Sequence, residues 1–207
     1  MRRARYIAIE GPLGVGKTSL ARLLSRRIPA RLLLEPIGEN PFLPAFYEDP
    51  AGIALKVQLF FLLLRHRQQM ALRREMKRAG AIVSDYLFAK DRIFARTNLK
   101  GAELRIYEEV ASLLEPPPRP DLLLFLRAPT ELLMERIRKR DRSYERGIDP
   151  GYVGRLNRAY GRFFSGYRES PLLVVRADRI DLLSQKGAVE KLLLRIEEPW
   201  QGRRYFP

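Results

Sequence analysis

One segment near the N-terminus, IEGPLGVGKTSL at residues 9–20, restricts the fold more than any other part of the sequence. An apolar run leads into residues that fill the pattern G-x-x-x-x-G-K-[ST], and a helical pattern begins near Lys17. In such a loop the backbone N–H groups surround phosphate oxygens, the lysine reaches the outer phosphates and the threonine hydroxyl ligates magnesium. We therefore predict a strand, a phosphate-binding loop and a helix that bind a nucleoside triphosphate. The predicted contacts are Gly11, Gly14, Val15, Gly16, Lys17, Thr18 and Ser19.

The rest of the chain alternates short apolar runs with longer helical patterns. The apolar runs predict five buried strands, at residues 6–10, 31–35, 81–85, 121–127 and 171–175. The helical patterns lie near residues 17–28, 51–78, 101–114, 130–140, 150–165 and 185–196. Continuous apolar runs of this length are typical of parallel strands covered on both faces. The predicted fold is α/β, a doubly wound five-stranded parallel sheet with helices on both faces, in one domain spanning residues 1–207.

The composition excludes several classes of protein. None of the 207 residues is cysteine, so disulfides and thiolate metal sites are excluded. We find no signal-peptide pattern, and the most apolar run, residues 57–65, is shorter than the roughly 20 residues of a membrane span. We therefore expect a cytoplasmic protein with no membrane partner. The formal charge of +15 could indicate nucleic-acid binding, but arginine and lysine are spread along the whole chain, so no nucleic-acid partner is expected.

Two carboxylates follow predicted strands, at the edge of the sheet where ligands bind in folds of this kind. Asp85 ends the third strand and could hold magnesium, directly or through water, or could instead cap the next segment. Glu35 ends the second strand, before Pro36. No arginine or lysine lies between Glu35 and Lys56, so we expect a carboxylate without a local counter-charge. Such a group can accept a proton from a hydroxyl that attacks the γ-phosphate, although a solvated loop glutamate is the alternative.

The long helical pattern places Gln58 and Arg65 two turns apart on nearly the same face. An amide that both donates and accepts can recognise the edge of a nucleobase, and Arg65 could recognise a second edge with Asp91 as its counter-ion. Gln58 could equally bond a neighbouring backbone group.

Arginines are concentrated between residues 135 and 147, at the end of a predicted helix and in the loop after it. This pattern suits a lid that closes over a polyphosphate, although a solvated charged face would look the same. The basic residues of this segment are Arg136, Arg138, Lys139, Arg140, Arg142 and Arg146.

Taken together, five segments resemble the deoxynucleoside kinase family, over about residues 6–194: GPLGVGKTS, EPIGENPFLPAFYEDP, VQLFFLLLR, DYLFAKDRIFA and ERIRKRDRSYERGI. The resemblance implies a P-loop kinase with an arginine-rich lid at about residues 138–148, acting as a homodimer. It implies transfer of the γ-phosphoryl group of ATP, with Mg²⁺, to the 5′-hydroxyl of a deoxyribonucleoside. Deoxyadenosine and deoxyguanosine are favoured, and deoxycytidine remains open.

The same resemblance implies roles for individual residues. Glu35 is the base, assisted in catalysis by Lys17, Arg136 and Arg140, and Thr18 and Asp85 hold the metal. Tyr47 and Glu145 bind the sugar 3′-hydroxyl. The residues implied beside the nucleobase are Gln58, Arg65, Asp91 and Phe94, and those implied at the phosphates of ATP include Arg140 and Arg142.

One departure from the family pattern follows the third strand. Many animal members have Glu-Arg-Ser there, where this chain has Asp85, Tyr86 and Leu87. The carboxylate is kept in shortened form, but the arginine is missing. A positive contact near the reacting phosphate is therefore unassigned, unless an arginine of the lid supplies it.

Two other functions stay open at this point. A thymidylate-type nucleoside monophosphate kinase would share the sheet, loop and lid, but it needs a cation for the acceptor phosphate, usually soon after the second strand. Residues 35–47 contain no arginine or lysine. A nucleic-acid-stimulated P-loop NTPase would show ATPase activity without a phosphorylated nucleoside. No function is predicted for the C-terminal tail, residues 197–207.

Overall fold

Six parallel strands form a single sheet in the computed structural model, which describes residues 6–50, 52–76, 78, 80–180, 185, 187–198 and 200–207. The strands are β1 (Tyr6–Glu10), β2 (Arg31–Leu33), β3 (Ile82–Ser84), β4 (Leu122–Arg127), β5 (Leu172–Arg176) and β6 (Arg203–Phe206). Their order across the sheet is β2-β3-β1-β4-β5-β6, and every neighbouring pair is parallel.

Eight helices connect the strands in the described part of the chain. They are α1 (Lys17–Arg27), α2 (Leu43–Glu48), α3 (Ala54–Glu75), α4 (Lys90–Asn98), α5 (Gly101–Ser112), α6 (Thr130–Arg140), α7 (Pro150–Ser165) and α8 (Ala188–Glu197). Two short 3₁₀ turns, Ile37–Glu39 and Ser143–Glu145, follow β2 and α6. None of these helices combines the length and the apolar character that crossing a membrane requires.

The two faces of the sheet pack against different sets of helices. One face is covered by α1, α6 and α8, and the other by α3, α4 and α7. All five residues of β1 are buried because this strand is central and covered on both sides. A third apolar cluster joins α2, α3, α4 and α5. This cluster forms one wall of the site described below.

The sequence predicted five of the six strands, β1 to β5, and missed the edge strand β6 and two helices. β1 has the predicted bounds, and β2 to β5 differ from prediction by one or two residues at an end. β6 was missed because it has four residues, of which two are arginines and only Phe206 is fully buried. α2 was not predicted; it has six residues and carries Pro44 in its first turn, where proline is tolerated. α4 was missed as a short, mixed segment.

Candidate active site

The phosphate-binding loop lies between β1 and α1, as predicted, and its geometry requires glycine. A Cβ atom at Gly11 would lie 2.4 Å from the carbonyl oxygen of Leu126 on the neighbouring strand. Gly14 has φ +81°, and a Cβ there would lie 2.7 Å from the Leu133 carbonyl oxygen. Because the backbone of β4 and α6 leaves no room for side chains, the loop can keep its curved shape only with these glycines.

Lys17 begins α1 and bonds the loop itself in this structure. Its Nζ donates to the carbonyl oxygens of Gly11 (2.7 Å) and Pro12 (3.1 Å). Burial of the ammonium group, and then the positive charge of Lys90, lower the pKa of Lys17 to about 8. The loop faces a cavity of about 590 Å³, which we call the loop cavity. Its lining includes the loop residues and the predicted lid arginines Arg136, Arg140 and Arg142.

Thr18 and Asp85, the predicted metal ligands, are in direct contact. The Thr18 hydroxyl donates to Asp85 Oδ2 (2.6 Å), and the backbone N–H of Glu35 donates to Asp85 Oδ1 (2.7 Å). Asp85 does not cap a helix, since the next helix begins at Lys90. A hydroxyl and one carboxylate beside a phosphate loop fit Mg²⁺, which prefers few protein oxygens together with substrate phosphates and water. The described residues contain no group of three acidic, histidine or cysteine side chains suited to a metal.

Glu35 lies at the carboxyl edge of the sheet as predicted, but the expectation that it lacks a counter-charge is wrong. Arg65 donates from Nε (3.0 Å) and Nη2 (2.6 Å) to Glu35 Oε1, and Lys90 Nζ donates to Oε2 at 2.7 Å. All three side chains are at least 95% buried. Burial alone would raise the pKa of Glu35, but Lys90 and Arg65 together lower it to about 2. The sequence around Glu35 could not show these partners, since Arg65 comes from α3 and Lys90 from α4.

Arg65 also bonds Asp91, so one guanidinium joins two carboxylates. Its Nη1 donates to Asp91 Oδ2, and the Tyr107 hydroxyl donates to Asp91 Oδ1 at 3.1 Å. Burial raises the pKa of Asp91 despite the charge of Arg65. The structure therefore brings together Arg65 and Asp91 as the sequence suggested. It adds Tyr107, a residue of α5 that sequence reasoning did not select.

Gln58 lies on α3 two turns before Arg65 and lines a second cavity, which we call the aromatic cavity. It is lined largely by rings and their neighbours, among them Phe46, Tyr47, Phe61, Phe94, Tyr144 and Tyr152. The Gln58 side chain is buried, and its Oε1 has no hydrogen-bond partner among the described residues. A buried acceptor without a partner costs stability, roughly 1–3 kcal/mol, which a ligand donor would recover. The oxygen therefore marks a place for a polar ligand edge.

The sugar-binding candidates Tyr47 and Glu145 line the same aromatic cavity. The Tyr47 ring stacks on Tyr144, with centroids 5.9 Å apart. Glu145 is buried and accepts from Arg140 Nη2 at both oxygens, 2.8 and 2.6 Å. Arg140 therefore holds Glu145 in this structure. Arg142 lies 3.7 Å from the same carboxylate.

Arg136 reaches backward from α6 to the phosphate loop. It donates to the carbonyl oxygens of Val15 (3.2 Å) and Ala177 (3.0 Å). Of the three predicted lid arginines, it is the one that bonds the loop backbone, so it connects the base of the lid to the phosphate site.

Two charged residues at the site were missed by sequence reasoning. Glu10 accepts from the N–H groups of Gly11 and Leu87, both at 2.8 Å, and thereby ties the phosphate loop to the segment after β3. Lys90 is the partner of Glu35. The sequence holds one signal for Lys90: lysine is rare in this chain beside arginine, and this lysine lies in DYLFAKDRIFA, shortly after Asp85.

The comparisons with known proteins agree with this geometry. A family model described as "Deoxynucleoside kinase" matches residues 7–199. The chain belongs to the deoxynucleoside kinase family. Deoxyguanosine kinase of Bacillus subtilis is 30% identical over 204 residues, covering 96% of this chain and 99% of that protein. Deoxyadenosine kinase of Lactobacillus acidophilus is 28% identical, covering 94% of this chain and 95% of that protein.

A solved structure is similar over nearly its whole length. It is deoxyadenosine kinase from M. mycoides with bound dCTP, 27% identical, with a TM-score of 0.79, covering 92% of this chain and 99% of that one. The chain is thus a kinase of deoxynucleosides with the P-loop kinase fold. Family membership decides against the two alternatives that the sequence had left open, a monophosphate kinase and a nucleic-acid-stimulated NTPase.

Proposed function

We propose that this kinase transfers the γ-phosphoryl group of ATP, with Mg²⁺, to the 5′-hydroxyl of a purine deoxynucleoside, deoxyadenosine or deoxyguanosine. The observation that carries the proposal is the position of Glu35. Its carboxylate lines both the loop cavity and the aromatic cavity, so it stands between a triphosphate on the loop and a nucleoside among the rings. A group that receives a proton during transfer must stand at this junction.

The reaction follows from the order of groups across the site. The 5′-oxygen bonds the γ-phosphorus, the bond from that phosphorus to the bridging oxygen breaks, ADP leaves, and the hydroxyl proton passes to Glu35. Because the pKa of Glu35 is about 2, it is ionised at neutral pH and is a weak base. A weak base suffices in a loose transition state, where catalysis is mostly positioning and charge stabilisation. Mg²⁺ held at Thr18 and Asp85 would neutralise charge on the phosphates.

Purine recognition is proposed from Gln58 and from the relatives. The unpartnered Oε1 of Gln58 requires a donor, which the exocyclic amine of adenine or the ring N–H of guanine supplies. The buried ion pair of Arg65 and Asp91 offers a donor and an acceptor for a second edge of the base. The similar proteins named above act on deoxyguanosine and deoxyadenosine.

The aromatic cavity must enlarge to accept a nucleoside. Its volume is about 50 Å³, whereas small-molecule sites measure roughly 300 Å³ or more. Glu145 and Tyr144, on the 3₁₀ turn after α6, and Tyr47 on α2 form the covering wall. We propose residues 138–148 as the lid that moves, with Arg140 exchanging Glu145 for phosphate as ATP binds.

The test is to incubate the protein with Mg-ATP and each of the four deoxynucleosides and to measure the monophosphate formed. We expect deoxyadenosine or deoxyguanosine monophosphate as the main product, and no product when EDTA replaces Mg²⁺. ATP hydrolysis without a phosphorylated nucleoside would contradict the proposal.

We also propose a homodimer in the cytoplasm that binds no nucleic acid. The dimer rests on the family resemblance alone, and the location is supported by a composition without cysteine. Sedimentation velocity at assay concentration measures whether the protein is a dimer. If it binds no nucleic acid, its kinetics should not change when DNA or RNA is added.

A further inference from the structure

We propose that Lys90 is a catalytic residue: its ammonium group contacts the phosphoryl group in transit, beside the hydroxyl that Glu35 deprotonates. This inference rests on the proposed function and assigns the cation that the sequence left unassigned after β3. Lys90 is the first residue of α4, a helix that sequence reasoning had missed.

The first argument is position. The residues that line both the loop cavity and the aromatic cavity are Leu13, Glu35, Ile37, Lys90, Phe94 and Arg142. Two of these are cations. Arg142 is about one-third exposed and bonds the Tyr144 hydroxyl, whereas Lys90 is 95% buried, 5.3 Å from the centre of the Phe94 ring. Lys90 is therefore a fixed, desolvated cation at the place where the two substrates meet.

The second argument is the occupancy of the two Glu35 oxygens. Oε1 accepts from two nitrogens of Arg65, while Oε2 accepts from Lys90. A carboxylate oxygen accepts about two hydrogen bonds, so the open position is on Oε2. A 5′-hydroxyl that donates to Oε2 shares this oxygen with Lys90 Nζ. The γ-phosphorus bonding that hydroxyl oxygen then brings its own oxygens within reach of Nζ.

The third argument is the number of donors that remain. An ammonium group has three N–H donors, of which Lys90 uses one on Glu35 among the described residues. Two arginines near this place are held by other groups: Arg65 by Glu35 and Asp91, and Arg136 by the carbonyl oxygens of Val15 and Ala177. Lys90 can thus keep Glu35 and still donate to phosphoryl oxygens.

The experiment compares Lys90→Met, Lys90→Arg and, as a control for net charge, Lys100→Met on the exposed segment before α5. We measure kcat, the nucleoside Kd and thermal unfolding for each. Lys90→Met should lower kcat by about 10²–10³-fold with the nucleoside Kd changed less than about threefold. Lys90→Arg should recover kcat to within about tenfold of wild type. Lys100→Met should match wild type.

A double variant separates direct contact with phosphate from an effect through Glu35. If Lys90 acts on the phosphoryl group, Glu35→Gln/Lys90→Met should lose at least about tenfold in kcat beyond Glu35→Gln alone. Lys90→Met alone leaves the buried Glu35 carboxylate without its lysine partner and could fail to fold. The double variant removes that carboxylate charge as well, so the comparison with Glu35→Gln remains informative. No further loss in the double variant, or a kcat of Lys90→Met within about threefold of wild type, overturns the inference. A wild-type protein that phosphorylates no deoxynucleoside overturns the proposed function instead.

Discussion

The loop cavity and the aromatic cavity lie side by side at one edge of the sheet, yet they are built in opposite ways. The loop cavity is lined by the consecutive residues 13–20 of the phosphate loop and by side chains of α6 and the lid, with glycines at points where β4 and α6 pack closely. The aromatic cavity is formed by side chains from α2, α3, α4, α7 and the 3₁₀ turn after α6.

This difference decides what a substitution does in each place. At Lys17 in the loop cavity, we expect that a substitution removes a contact to phosphate and leaves the surrounding fold intact. Beside the aromatic cavity, Arg65 and Lys90 balance Glu35 and Asp91 in a buried network, so removing one charge leaves another unpaired. We therefore expect function and stability to be separable at Lys17 and coupled in the buried network of Glu35, Arg65, Lys90 and Asp91.

The largest effect is expected in the loop cavity. Lys17→Ala removes the cation that we predict to reach the outer phosphates, so kcat should fall by about 10³-fold or more. Nucleoside binding measured by calorimetry and the thermal midpoint should stay close to wild type. Turnover at the wild-type rate in a folded variant would refute the assignment of the loop.

Two arginines on α3, one buried and one exposed, should differ in how much their replacement lowers the free energy of unfolding. Arg65→Met leaves Glu35 and Asp91 with too little positive charge and should cost about 3–5 kcal/mol in the free energy of unfolding. Arg67→Met, two residues away, removes only an exposed pair with Glu39 and should cost less than about 1 kcal/mol. Urea denaturation of both variants measures the contrast, and equal losses would show that burial does not govern it.

Glu35→Gln tests catalysis inside the coupled region. The amide keeps the size of the side chain but cannot take up the hydroxyl proton, so kcat should fall by about 10²-fold while nucleoside affinity changes far less. The matched control is Glu39→Gln on the exposed 3₁₀ turn after β2, which should behave as wild type. A collapse of affinity with kcat retained would make Glu35 a binding residue and direct attention to Asp85.

The lowered pKa of Lys17 predicts a pH dependence of ATP binding. In the free protein this pKa is about 8 because the ammonium group is buried and close to Lys90. Phosphate favours the charged form and raises the pKa, so above about pH 8 ATP binding should take up a proton and affinity should fall, by up to about tenfold per pH unit. Calorimetry in buffers of different ionisation enthalpy measures the proton. The absence of uptake at pH 9 would contradict the assigned environment of Lys17.

The smallest effect is expected from a single hydroxyl. Tyr47→Phe keeps the ring stacked on Tyr144 and should weaken deoxynucleoside binding by about 0.5–1.5 kcal/mol. A 3′-deoxy analogue lacks the partner hydroxyl, so its affinity should hardly change. Equal losses for both substrates would mean that Tyr47 packs against the ligand without bonding its sugar.

The sequence by itself determined the phosphate loop, the five strands β1 to β5 and the edge of the sheet at which Glu35 and Asp85 stand. These features depend on residues close together in the chain: glycines in a loop, continuous apolar runs, a carboxylate just after a strand. Tertiary structure decided the charge partners of Glu35, which lie 30 and 55 residues away on α3 and α4, and the place of β6 beside β5. Such pairings depend on how helices and strands pack, and the low dielectric inside the packed site is what makes Lys90 and Arg65 strong enough to hold Glu35 ionised.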